Sequence, residues 1–283
     1  MDDVSFQFSF LVMMKVIYRF CNMILNYYFR GAQVSDCGEY VLVVTHQECR
    51  DNLLYFTKCK GSESITGQFD LTQVVYKFEH DFQYITNTGS KFVFRTNRGA
   101  SNYRLVVIDF EYQPTAENLD NQEPWPMTTL IPESEDVMED VICADGNKLI
   151  LHYLKDVKSV LQVHDLSTGK LMHPIPLDIG CVTSISADKR YSEAFFMFNS
   201  MIVPSVSYKV DLAQSPPSVT ILRETKIAGF NRDQYKVEQV FYKSQDGMRV
   251  PMFIASRKDL KRDGSEPCLL YGYGGFNISI NPS

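Results

Sequence analysis

A repeat restricts this chain more than any other feature. Four passages within residues 35–212 share one order: a polar turn, an apolar strand, a loop and a second apolar strand. The strand pairs fall at residues 39–44 and 53–56, 91–95 and 103–110, 148–153 and 160–166, and 194–198 and 206–212. The second strands begin near Leu53, Tyr103, Val160 and Val206, a period of about fifty residues. In the later three passages the second strand closes on Asp-Phe or Asp-Leu: Asp109-Phe110, Asp165-Leu166 and Asp211-Leu212. All-strand repeats of this length build propeller blades, small antiparallel sheets stacked face to face. A single irregular β-sandwich is the competing architecture, because no Trp-Asp pair recurs. A further strand is expected at residues 219–223, and residues 113–127, rich in Pro, Asn and acid, and the acidic residues 133–140 read as solvated connections.

Composition narrows the function classes. A formal charge of -6 gives no general basic field, so nucleic acid is not an expected partner. The seven cysteines are scattered, with no C-x-x-C pair and no Cys/His cluster at ligand spacing, so neither a structural metal nor a cofactor is expected. An odd number without a framework fits a reducing compartment, and a cytoplasmic location is expected.

The first thirty residues stand apart. Asp2 and Asp3 give the wrong charge for a signal peptide, and Lys15 and Arg19 leave the apolar run from Phe6 too short to span a bilayer. Lys15, Arg19, Asn22, Asn26 and Arg30 recur at helical spacing. Residues 1–30 therefore read as an amphipathic helix, either a packing or joined-on segment or a membrane-surface or partner-binding one.

The pattern changes again after Gly229. Strands are expected at residues 237–242 and 250–255, joined by the turn Gln245-Asp246-Gly247. A polar loop then leads through Pro267 into Leu269-Leu270-Tyr271, read as a buried strand, and on into Gly272-Tyr273-Gly274-Gly275-Phe276. A strand entering a glycine-rich loop is where α/β-hydrolases place one oxyanion-hole donor, since glycine lets the backbone approach a substrate carbonyl. A bare turn fits the same glycines.

Longer stretches carry a resemblance. Tyr271-Gly272-Tyr273-Gly274-Gly275-Phe276-Asn277-Ile278-Ser279-Ile280 closely resembles the oxyanion-loop motif of the prolyl oligopeptidase family. Asp246-Gly247-Met248-Arg249-Val250-Pro251-Met252-Phe253-Ile254 resembles the hairpin before it in the same family. His164-Asp165-Leu166-Ser167-Thr168-Gly169 and Val34-Ser35-Asp36-Cys37-Gly38-Glu39-Tyr40-Val41-Leu42 resemble parts of its propeller. The resemblance covers about residues 31–283.

It implies a cytosolic serine endopeptidase that cuts short peptides after proline, with a seven-bladed propeller covering an α/β-hydrolase active site. The expected division is a non-family segment at 1–30, a partial propeller of about four blades at 31–227, and the start of the peptidase domain at 228–283. The chain is accordingly expected to be mainly β. The resemblance makes Tyr273 the hydroxyl donor to the oxyanion, Phe276 a wall of the proline pocket, and Cys49 a propeller residue facing the substrate. A packed core tyrosine, a core aromatic and an ordinary buried thiol are the competing readings of the three. Where the family offers the substrate an arginine near Cys49, this chain has His46.

The triad is missing from these 283 residues. They contain no G-x-S-x-G, and no histidine follows His173, whereas this fold orders Ser, Asp and His after the oxyanion loop. Loss of nucleophile and base removes about 10⁶ in turnover, so the chain alone is expected to be inactive. A non-catalytic propeller that binds a protein partner is the alternative function. Four of seven wedges would also leave two blade faces exposed, and self-association through them is expected.

Overall fold

A computed structural model of the chain describes residues 29–48, 50–58, 70–115, 118, 125–275 and 278–283. Sixteen of the eighteen strands among the described residues form four-stranded antiparallel meanders, each with its strands in chain order. The first sheet holds β1 (Phe29–Val34), β2 (Tyr40–His46), β3 (Asn52–Lys58) and β4 (Thr72–Val75). The second holds β5 (Phe82–Thr88), β6 (Lys91–Thr96), β7 (Arg104–Asp109) and β8 (Thr128–Ile131). The third holds β9 (Val137–Ala144), β10 (Lys148–Lys155), β11 (Lys158–Asp165) and β12 (Leu171–Ile175). The fourth holds β13 (Cys181–Ala187), β14 (Glu193–Ser200), β15 (Val203–Asp211) and β16 (Ser218–Glu224). A separate hairpin, β17 (Tyr235–Lys243) with β18 (Arg249–Arg257), follows.

These sheets are the expected blades, and they fall into two compact units, residues 1–134 and 135–283. In the first unit the two blades share one core, in which Phe56, Phe92 and Phe110 stack with ring centroids 4.0 Å apart from Phe110 on either side. In the second unit Ile150, Leu161 and Val163 of the third blade pack with Phe196, Phe198 and Val210 of the fourth.

The second strand of each sheet shows how sequence encodes this stacking. β2, β6 and β10 are buried almost throughout, so they read as continuous apolar runs rather than alternations. β14 alternates instead, because Phe195 and Met197 point away from the core and remain 36% and 43% exposed. Two exposed blade faces were expected. Among the described residues the fourth blade has one, whereas Val41, Val43 and Leu53 on the other face of the first blade are buried.

The recurring Asp-Leu and Asp-Phe pairs have a structural cause. Asp109, Asp165 and Asp211 each accept a backbone N–H from the turn that follows, from Glu111, Thr168 and Ala213 at 3.0, 2.8 and 3.0 Å. The next residue, Phe110, Leu166 or Leu212, is buried. Its N–H donates to the carbonyl of Ser90, Asn147 or Ser192, the residue just before the neighbouring strand, at 2.9, 2.8 and 2.8 Å. Asp165 also accepts from the Ser167 and Thr168 hydroxyls and from Asn147, which hold its carboxyl down to about 2.

A second device clasps the two blades within each unit. Asn52, at the start of β3, accepts the Phe82 N–H at 2.6 Å and donates to the Phe82 carbonyl at 3.3 Å. Its own N–H donates to the His80 carbonyl at 3.1 Å. Ser159, near the start of β11, accepts the Val182 N–H at 2.8 Å, and its N–H donates to the Gly180 carbonyl at 3.2 Å. In both units a polar residue opening the third strand thus satisfies the backbone that opens the next blade, which burial would otherwise leave without water.

Several expectations change. Residues 133–140 are not simply a solvated connection: β9 begins at Val137 and Met138 is fully buried. Glu139 and Asp140 hide this in the sequence because the pleat turns Glu139 outward beside an inward methionine. Within 113–127, Trp125 is buried edge-on to Phe56 and donates Nε1–H to the Gln73 carbonyl at 2.9 Å. The helix expected over 1–30 lies outside the described residues, except that Phe29 and Arg30 belong to strand β1. The buried strand expected at Leu269-Leu270-Tyr271 is not formed. Leu269 and Leu270 are 91% and 82% exposed and have no regular structure, because no neighbouring strand among the described residues pairs with them.

Candidate functional site

The expected donor segment lies beyond the β17–β18 hairpin. That hairpin forms as the sequence implies, in unbroken register from Tyr235 opposite Arg257 to Lys243 opposite Arg249. Its turn needs glycine at 247, where φ is 84°. Tyr273 follows in an irregular stretch and is 50% exposed. Its ring folds back over Gly275, where a Cβ would meet the hydroxyl at 3.4 Å. The Ile278 N–H donates to the Gly275 carbonyl at 3.1 Å and closes the loop. Phe276 lies outside the described residues, as does Cys49.

His46 ends β2 opposite Asn52, with Nδ1 3.2 Å from the Arg50 carbonyl. The same region of the first unit carries a charged cluster that the sequence reading did not find. Arg95 lies under the Tyr103 ring, 3.7 Å from its centroid, and its Nη1 is 3.8 Å from Asp81. Burial pushes the Asp81 carboxyl up, against the opposing pull of Arg95. Burial also pushes the Tyr103 phenol up. Tyr103 adopts φ 69°, an uncommon left-handed conformation for an aromatic residue. Its signal was present but hidden: a tyrosine at the end of a loop looks like the first residue of a strand.

One buried Ser–His pair invites a catalytic reading and does not support it. His152 Nε2 lies 2.8 Å from Ser159 Oγ. Ser159 is already committed to the clasp on Val182, both side chains are buried, and burial pushes the imidazole down to about 4. The pair belongs to the blade interface. Among the described residues no group of three or more His, Cys, Asp or Glu could hold a metal ion, and no helix is long and apolar enough to cross a membrane.

Repeated four-stranded meanders stacked through apolar faces define a β-propeller. Residues 15–221 match the family described as the prolyl oligopeptidase N-terminal beta-propeller domain. The chain belongs to the prolyl oligopeptidase family. The match begins within the first thirty residues, earlier than the resemblance drawn from the motifs alone.

The chain is 32% identical over 259 residues to a prolyl endopeptidase of Dictyostelium discoideum, covering 89% of this chain and 33% of that protein. It is 30% identical over 255 residues to a dual function macrocyclase-peptidase of Amanita bisporigera, again covering 89% of this chain and 33% of the relative. A solved structure of prolyl oligopeptidase B from Galerina marginata, bound to a 35mer hydrolysis and macrocyclization substrate, superimposes with a TM-score of 0.79 at 28% identity. That superposition covers 90% of this chain and 34% of the other. The chain thus spans about a third of the length of the relatives it matches.

Proposed function

We propose that this chain is part of the propeller and the domain-entry portion of a cytosolic prolyl oligopeptidase, a serine endopeptidase that cleaves short peptides after proline. The observation that carries the reading is the order of parts: paired blades matching the family's propeller, then the β17–β18 hairpin, then the glycine-rich stretch around Tyr273. In this reading residues 31–227 form a partial propeller of about four blades and residues 228–283 open an α/β-hydrolase domain.

Tyr273 is the oxyanion donor of the proposal. Its hydroxyl would stabilise the charge that develops on the substrate carbonyl oxygen during attack by a serine outside these 283 residues. Phe276 would wall the pocket for the proline ring, and Cys49 would face the peptide from the propeller. The half-exposed Tyr273, folded over Gly275, would have to swing outward to donate.

A chimera in which residues 31–283 replace the matching segment of the Dictyostelium relative provides the test. It is expected to hydrolyse a chromogenic proline-containing peptide. Tyr273→Phe is expected to lower its kcat about a hundredfold with little change in KM, the signature of a donor used only in the transition state. A folded Tyr273→Phe chimera with full kcat would remove Tyr273 from the site. The chain alone is proposed to associate through the exposed fourth-blade face around Phe195 and Met197. Sedimentation velocity would show a dimer or larger species, and a clean monomer would count against it.

A further inference from the structure

The tip of the β10–β11 hairpin is built against local preference. Lys155 pairs with Lys158, so Asp156 and Val157 form a two-residue turn, with φ 48° and 67°. Positive φ at both positions is the type I′ geometry that suits a twisted hairpin, and it favours Asn-Gly or Asp-Gly. Asp156 fits. Val157 does not, because a β-branched side chain in the left-handed region is an outlier. Such a conformation persists only where the surroundings over-determine it.

The surroundings here come from the β17–β18 hairpin. The Gln239 side-chain amide donates to the Asp156 carbonyl at 2.6 Å. Arg249 Nη1 lies 3.9 Å from the Asp156 carboxylate, while its guanidinium stacks 3.4 Å from the centroid of the Phe241 ring. The strand register puts Gln239, Phe241 and Arg249 on one face of the hairpin. No residue of β17 or β18 is fully buried, so the hairpin has no core of its own to fix its position.

We propose that the Asp156–Val157 turn is the latch by which the third blade holds the β17–β18 hairpin, and that Val157 keeps this latch releasable. The docked state needs the Asp156 carbonyl aimed at Gln239, which the type I′ turn provides. When the hairpin leaves, valine favours relaxation of the turn to another conformation, so re-docking must restore the left-handed pair. Glycine at 157 would keep the turn in the docking geometry in both states and shift the equilibrium toward docking. The latch concerns this chain's own segments and does not depend on catalysis.

Hydrogen exchange on the full 283-residue chain tests it, with the amides of β13–β16 as the internal control for folding. Gln239→Ala is expected to speed exchange of the β17 and β18 amides about tenfold and leave the control amides unchanged. Val157→Gly is expected to slow the same β17 and β18 amides about fivefold. Unchanged exchange in Gln239→Ala, or faster β17–β18 exchange in Val157→Gly, overturns the proposal.

Discussion

Acidification from pH 7 to pH 4 is expected to lower the stability of the second unit by about 3 kcal/mol through His152 alone. The folded imidazole is pushed down to about 4 by burial, whereas an unfolded histidine titrates near 6.5. Between those values the unfolded chain binds the extra proton, so stability is full above about pH 6.5 and falls as pH drops toward 4. Protonation would also put a second donor beside Ser159 and charge the buried interface of the third and fourth blades. Asp165 works in a different window. Its carboxyl is held down to about 2 by hydrogen bonds, so its contribution persists above about pH 4 and is lost as pH falls toward 2. Urea unfolding of the chain at pH 7, 5.5 and 4.5 measures the effect. His152→Gln, which can still bond Ser159, should flatten the pH dependence by about one proton's worth; a variant with the parent's slope would refute the assignment.

The sequence made some strands plain and hid others for a physical reason. The pairs read from the repeat are the two middle strands of each sheet, β2–β3, β6–β7, β10–β11 and β14–β15. Middle strands are covered on both sides by neighbours and mostly on both faces, so their apolar runs are long. Outer strands fare differently. β4 has four residues and β8 four, and β12 carries a proline and exposes Leu171 and Met172. These three show neither length nor periodicity, whereas β5, β9 and β13 have seven or eight residues but mix exposed polar positions into them, and of the outer strands only β16 was recognised. The Asp-Leu and Asp-Phe pairs were visible as a pattern, yet their cause, a capped turn plus a backbone bond to the neighbouring strand, needed coordinates. At the candidate site the legible part was Tyr273, because glycines flank it. Asp81, Arg95 and Tyr103 come from three separate loops and strand ends, and no spacing along the chain announces their meeting.

Replacing Asn52 with alanine is expected to destabilise the first unit by about 3 kcal/mol, the sum of two buried backbone groups left without partners. Asn52 is fully buried, and its amide answers both the N–H and the carbonyl of Phe82, itself buried in the shared core. Water cannot easily replace it there. The comparison that gives the number meaning is Phe92→Ala in the same core, expected to cost about 3–5 kcal/mol through lost burial and a cavity. Apolar stacking is non-directional: it favours contact between two blades but tolerates rotation of one face over the other. A clasp with fixed donor and acceptor positions does not tolerate it. If the two losses are comparable in urea unfolding, the angle between adjacent blades is set by polar groups at the strand ends as much as by the aromatic faces. If Asn52→Ala costs less than about 1 kcal/mol while Phe92→Ala costs its full amount, the clasp is incidental and packing alone orients the blades.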